Sequence, residues 1–202
     1  MGYQVKPNDD VRFNDTRITP EKKVYVLLNK PKDFITTVDD PQNRRTVMQL
    51  IQGSGPERLY PVGRLDRMTT GLLMFTNDGE LAKRLTHPRY QVRKVYHVVL
   101  DQPLKPNHLD DIRRGIQLDD GPIAADEVSY IEEADNRKEV GIEIHSGRNR
   151  IVRRIFEKLG YKVVRLDRVV FANLTKRNLK RGQWRFLTRE ELQQLAMLGK
   201  GK

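Results

Sequence analysis

Cysteine is absent from this 202-residue chain. That removes thiolate nucleophiles, disulfides and cysteine-based zinc sites, and gives no reason to expect an oxidising compartment. Histidine is scarce: His87, His97, His108 and His145 lie far apart, with no two-His helical pair and no zinc-like spacing, so no metal site is expected. No apolar run approaches the ~20 residues of a membrane helix, and the N-terminus lacks the apolar core of a signal sequence. A soluble, cytoplasmic protein is expected. Phosphate-loop and calcium-loop patterns and the Gly-x-Ser-x-Gly elbow are missing too, as are internal repeats and low-complexity stretches.

Acidic residues are almost missing from one stretch. The chain carries a formal charge of +11, and between His145 and Arg189 fourteen Lys and Arg stand against only Glu157 and Asp167. That stretch has an excess of +12, which leaves the rest of the chain at −1. A solvated surface normally mixes both signs. Cations gathered without intervening acids are instead the footprint of a protein that binds a polyanion, nucleic acid first among them.

The hydrophobic fraction, 37%, is enough for a core. Residues 1–22 are polar and turn-rich, with the look of a short strand pair or a trailing piece of something else. From Lys23 onward, Val24 to Leu28 reads as a strand stopped by the breaker cluster Asn29 to Asp33. Thr46 to Ile51 reads as a short helix capped by Thr46, and Leu72 to Thr76 as a buried strand. A helix carrying Leu81 and Leu85 follows an Asn77 to Glu80 cap. Val92 to Leu100 alternates as a strand with Lys94, Tyr96, Val98 and Leu100 on one face. His108 to Arg114 is a helix with Leu109 and Ile112 inward, and Lys138 to His145 another strand. Asn149 to Leu159 is amphipathic, with Ile151, Val152, Ile155, Phe156 and Leu159 on one stripe and Arg150, Arg153, Arg154 and Glu157 off it. Tyr161 to Leu174 returns as one long strand or two joined by a bend. Irregular interleaving of these elements predicts an α+β fold with a mixed, mostly antiparallel sheet.

Asp66 lies between Arg64 and Arg67 in a loop flanked by apolar elements and bounded by Gly63 and Gly71. An acid beside arginines is ordinarily a surface ion pair worth ~0–1 kcal/mol. However, the surrounding run YPVGRLDRMTTGLLMFTNDGEL (60–81), with KVYHV (94–98), GRNRIVRRIF (147–156), VRLDR (164–168) and GQWRFLT (182–188), resembles in content and order the ribosomal pseudouridine synthases of the RsuA/RluB/RluE/RluF family. The resemblance spans roughly residues 23–195 and is strongest to the RluB-type branch, which acts on large-subunit (23S) ribosomal RNA.

That resemblance implies a pseudouridine synthase fold: a mixed, mostly antiparallel sheet flanked by helices, in two lobes around a catalytic cleft. It implies isomerisation of uridine to its carbon-linked isomer in rRNA, a reaction without redox change and without a cofactor. Asp66 would be the essential carboxylate, as nucleophile or as base, and Arg153 its cationic partner. Tyr96 would stack on the target base, and Leu166 would close the other side of the pocket. Arg64 would support the loop or touch a phosphate, and the basic segment that includes Arg148, Arg150, Arg154 and Arg168 would contact the RNA backbone. Gly63 and Gly71 would let the backbone bring Asp66 close to the substrate. Family members usually carry a small RNA-binding domain first; here residues 1–22 resemble its tail and 23–198 form the catalytic domain. No heptads or long apolar surface runs call for a partner copy, so a monomer is expected. The competing reading is a non-catalytic rRNA-binding or assembly factor on the same fold, which would be expected to have lost the acid, the tyrosine or the arginine.

Overall fold

Nine strands lie in one twisted sheet among the residues that the computed structural model describes, 9–17, 21–132, 134 and 136–198. In chain order the elements begin with a hairpin, β1 (Arg12–Phe13) and β2 (Thr16–Arg17), turned by Asn14 and Asp15 in the left-handed region that a two-residue hairpin loop needs. They continue with β3 (Tyr25–Lys30), β4 (Tyr60–Pro61), β5 (Thr70–Thr76), α1 (Gly79–Thr86), β6 (Lys94–Leu100) and α2 (Pro106–Arg114). A second hairpin, β7 (Ile116–Leu118) and β8 (Gly121–Ile123), precedes β9 (Glu127–Tyr130) and β10 (Glu139–Ile144). The chain then forms α3 (Ile151–Lys158), β11 (Val163–Phe171), β12 (Leu174–Thr175), β13 (Trp184–Phe186) and α4 (Arg189–Met197). Of residues 1–22, expected to resemble the tail of a family N-terminal domain, 1–8 and 18–20 lie outside the described residues.

The sheet runs β13-β3-β5-β11-β6-β10-β9, with β4 added against β5 and β12 against β11. Every pairing is antiparallel except β5 with β11. That one parallel contact, Thr70 beside Asp167 and Gly71 beside Arg168, sets the site: it holds the loop that enters β5 against the middle of β11, which is itself paired with β6. Strand β5 is buried at all seven positions because cores lie on both its faces. On one face Leu73 and Phe75 join the cluster under α2 and α3; on the other, Leu72 and Met74 pack with Leu81 and Leu85 of α1. This two-sided burial explains an apolar run with no alternation.

The amphipathic stripe of α3 is buried as its period requires, with Ile151, Val152, Ile155 and Phe156 inside. The helix starts two residues later than its apolar pattern suggests, because Arg150 adopts a left-handed conformation (φ 48°) as its N-cap. Thr46 precedes a 3₁₀ turn over Val47–Ile51, not an α-helix, and makes no side-chain cap. Tyr161 to Leu174 resolves into β11 and β12, with Ala172 at φ 53° in the bend. Helix α4, whose Thr188 and Glu191 form a capping box, and the short strands β9 and β13 have no counterpart in the periodicity reading.

Asp167 ties the C-terminal elements to this sheet. Its carboxylate accepts hydrogen bonds from Thr70 (2.6 Å), Arg181 (2.8 Å) and Lys176. Burial pushes its pKa up, but the bonds from Arg181, Lys176 and Thr70 outweigh that and hold it well below the usual carboxylate range. A carboxyl depressed in the folded state adds stability that is present above the unfolded value, 3.8, and lost as pH falls below it. Asp167→Asn should therefore cost about 1–3 kcal/mol at pH 7. Thermal melts of the two proteins should converge as the pH drops below 4.

Candidate active site

Asp66 sits in a loop whose backbone is held from below by a buried lysine. Lys30, at the end of β3, has no solvent exposure, and the three hydrogens of its Nζ are shared among the carbonyls of Thr69 (2.8 Å), Asp66 (3.1 Å), Pro31 (3.1 Å) and Arg67 (3.2 Å). Burial lowers its pKa to about 8 against the pull of Asp66 and Asp33. Thr36 adds a second brace, its hydroxyl donating to the Leu65 carbonyl and accepting from the Leu65 amide. The amides of Asp33 and Thr69 close the loop on the carbonyls of Arg67 and Asp66. Lys30 escapes the pattern reading, which takes it as part of a breaker cluster. The available signal is its place at the end of a continuous apolar strand, where a lysine must find acceptors inside.

Removing this cation leaves several carbonyls without a partner. Lys30→Met should cost about 2–4 kcal/mol of stability, and the loosened loop about 100-fold in turnover. Chemical denaturation and single-turnover rates measured on the same preparation check both.

The loop presents Asp66 to a hollow of about 180 Å³, lined also by Arg64, Tyr96, Leu166, Arg148, Arg150 and Arg168. An apolar cavity of ~150 Å³ accepts one benzene ring, so this volume suits one flat pyrimidine. Tyr96 on β6 and Leu166 on β11 are both nearly buried. Tyr96 and Arg168 are direct partners in the antiparallel register, and Leu166 lies diagonally beside Tyr96. Seven of the residues singled out from sequence thus meet in one place, brought from positions up to 104 apart in the numbering.

The arginines are allotted differently from the expectation. The ion pair with Asp66 is made by Arg150, Nη1 to Oδ2 3.7 Å, and Arg150 also reaches Glu157 at 3.4 Å. Arg153, expected to be that partner, is half-buried and donates to the Val163 carbonyl at 2.9 Å. Burial and the nearby Arg150 lower its pKa, while Asp66 and Glu157 act on it through space in the opposite sense. Arg148 and Arg154, expected on the RNA backbone, both bind Asp120 in the β7–β8 turn: Arg148 through Nε (3.1 Å) and Nη2, Arg154 through Nη1 (3.0 Å) and Nη2. Their hydrogen bonds hold the Asp120 carboxyl far below the usual range. Arg148 also donates to the carbonyls of Pro122 and Gly121. These two side chains therefore fasten the hairpin to α3 and to the loop that precedes it. The Asp119-Asp120-Gly121 turn was the only available trace of that clamp in the sequence. Gly71, expected to let the backbone bring Asp66 close to the substrate, lies against the Arg168 backbone of β11.

Two residues that line the hollow carry a buried polar atom with no hydrogen-bond partner, Thr69 Oγ1 and Arg168 Nη2. Among the described residues no group of three or more His, Asp or Glu side chains could hold a metal ion, and no helix is long and apolar enough to cross a membrane.

Comparison with known proteins gives this geometry a context. The family model for RNA pseudouridylate synthase matches residues 24–158, a span that includes Asp66, Tyr96 and Arg150. The chain is 38% identical over 202 residues to the ribosomal large subunit pseudouridine synthase B of Bacillus subtilis, covering 98% of this chain and 82% of that one. It is also 38% identical over 197 residues to an RNA pseudouridine synthase of Aquifex aeolicus, covering 96% and 79%. A solved structure described as a pseudouridylate synthase superimposes with a TM-score of 0.77 at 32% identity, over 96% of this chain and 83% of its own. With fold, motif order and overall similarity in agreement, the chain belongs to the RNA pseudouridylate synthase family.

Proposed function

We propose that the protein isomerises uridine to pseudouridine in ribosomal RNA, large-subunit RNA being the class that the named Bacillus relative supports. One observation carries the reading. A carboxylate, an aromatic ring and an aliphatic side chain converge on a hollow the size of one pyrimidine, Asp66 beside Arg150 and Tyr96 beside Leu166.

The target uridine leaves its stack, at a cost of a few kcal/mol, and phosphate contacts along the basic stretch offset this. Its base lies against the Tyr96 ring, an interaction worth ~1–3 kcal/mol in single-stranded recognition. Asp66, ionised and paired with Arg150, acts as nucleophile or as the base that removes a sugar proton. The bond between N1 and the sugar breaks, the uracil turns, and its C5 bonds to the same sugar carbon. The C5 proton departs and N1 gains one, so the product is an isomer. Arg153 lies within electrostatic reach of Asp66 and adds to the positive field that supports its charge. All the named groups come from one chain, so a monomer working on rRNA in the cytoplasm suffices.

Single-nucleotide mapping of pseudouridine in rRNA from cells with and without the protein tests the reading. At least one uridine should change state, and purified protein should restore it in the unmodified RNA. Identical maps would leave the family fold without this activity.

A further inference from the structure

Two cations that line the hollow have no ion-pair partner among the described residues. Arg168 is 97% buried, since only 3% of its surface is exposed. Its Nε donates to the Leu72 carbonyl at 2.8 Å and its Cζ lies 4.6 Å from the Phe171 ring centre; Nη2, itself buried, has no hydrogen-bond partner, and Arg168 is among the residues that line the hollow. Lys94 precedes Tyr96 by two residues on the same face of β6, ~7 Å along the strand. Its Nζ donates to the carbonyls of Val92 and His145, both at 2.8 Å, and the third ammonium hydrogen is uncommitted. Neither side chain forms an ion pair among the described residues, whereas Arg148, Arg150 and Arg154 each hold a carboxylate.

Two neighbouring charges taken from water without a counter-ion are costly. The cost is visible at Lys94: burial, then the charge of Arg168, lowers its pKa to about 8, and Asp126 offsets this only in part. Both groups are donors only, so both require acceptor oxygens. A uracil ring offers neutral carbonyls, which would satisfy a hydrogen bond but leave the charge unbalanced. In an RNA substrate the anion is the phosphodiester, and the two cations flank the ring expected to hold the base: Lys94 lies two residues from Tyr96 on β6, and Arg168 is the partner of Tyr96 on β11. We propose that Lys94 and Arg168 form an anion subsite in the hollow that takes a phosphodiester oxygen adjoining the target uridine. This rests on the reading of the protein as an RNA-modifying enzyme, and extends it from capture of a base to capture of a particular phosphate.

The test uses a short RNA around a uridine identified by the mapping above. Each of the two phosphodiesters flanking that uridine is replaced, one at a time, by a neutral methylphosphonate. Binding and single-turnover rates are measured for wild type, Lys94→Gln and Arg168→Lys, with thermal melts to confirm folding. One of the two replacements should weaken wild-type binding roughly tenfold, as expected for a hydrogen bond to a charged group. The same replacement should change Lys94→Gln binding less than twofold, its partner having been removed already. Arg168→Lys, which keeps the charge and shortens the reach, should fall between, and it carries the comparison if Lys94→Gln does not fold. Equal losses in wild type and variants at both positions, or no loss in wild type, would overturn the subsite. If wild type fails to modify the unaltered RNA at all, the functional reading itself falls and the subsite with it.

Discussion

Asp66→Asn is expected to lower pseudouridine formation by about 10⁴-fold or more while leaving RNA affinity within about threefold of wild type. Asparagine keeps the shape of the side chain and can still accept a hydrogen bond, but it has no charge to attack a sugar carbon or to remove a proton. The local structure should survive. The loop is held through the backbone carbonyls of Asp66, Arg67 and Thr69 on Lys30, and through Leu65 on Thr36, none of which involves the carboxylate. Among the described residues the carboxylate's ion-pair partner is Arg150, half-exposed and 3.7 Å away, and such a pair contributes about 0–1 kcal/mol. Binding rests chiefly on phosphate contacts spread over many cations, so it should be nearly unchanged. Gel-shift titration beside a pseudouridine assay on the same RNA separates the two effects. Substantial turnover by the variant would remove Asp66 from the chemistry.

Gly71→Ala is expected to be the most damaging single-methyl change in the chain. Its φ is +110°, and an added Cβ would stand 2.3 Å from the carbonyl oxygen and 2.5 Å from the amide nitrogen of Arg168. These are backbone atoms of the parallel partner strand, so no side-chain rotation can relieve the overlap. Gly121 provides the control, with φ +111° and nothing within 4 Å of an added Cβ. Gly121→Ala should cost only the conformational penalty, about 1–2 kcal/mol. Gly71→Ala should exceed it by at least about 3 kcal/mol, a large part of a typical domain stability of ~5–15 kcal/mol. Denaturation midpoints of the two variants check the difference. Any Gly71→Ala protein that does fold should have lost activity, because the clash separates the loop bearing Asp66 from the strand bearing Leu166 and Arg168.

Much of this structure is legible residue by residue. The stripe Ile151, Val152, Ile155 and Phe156 is buried as its spacing requires, and Asp78 caps α1 through the Leu81 amide. Tyr96 points inward on β6 with Val98 and Leu100. The three-residue strands β7, β8 and β13 are too short to show a period, and they form because a neighbouring strand supplies hydrogen-bond partners. The same holds for the parallel contact of β5 with β11, since nothing near Thr70 specifies a partner almost a hundred residues away.

Arg148, Arg150, Arg153 and Arg154 present nearly the same local pattern, yet each has a different occupation. Arg150 faces Asp66, Arg153 the Val163 carbonyl, and Arg148 and Arg154 the Asp120 carboxylate. By itself, the order of residues determined the α+β class, the buried faces, the basic stretch and the acid-bearing loop, because periodicity and turn chemistry act between near neighbours. Only the tertiary structure decided which cation meets which anion, which lysine is buried beneath the loop, and which two charges are left without a counter-ion. Electrostatic pairing and desolvation depend on distance in space, and folding sets that distance for residues far apart along the chain.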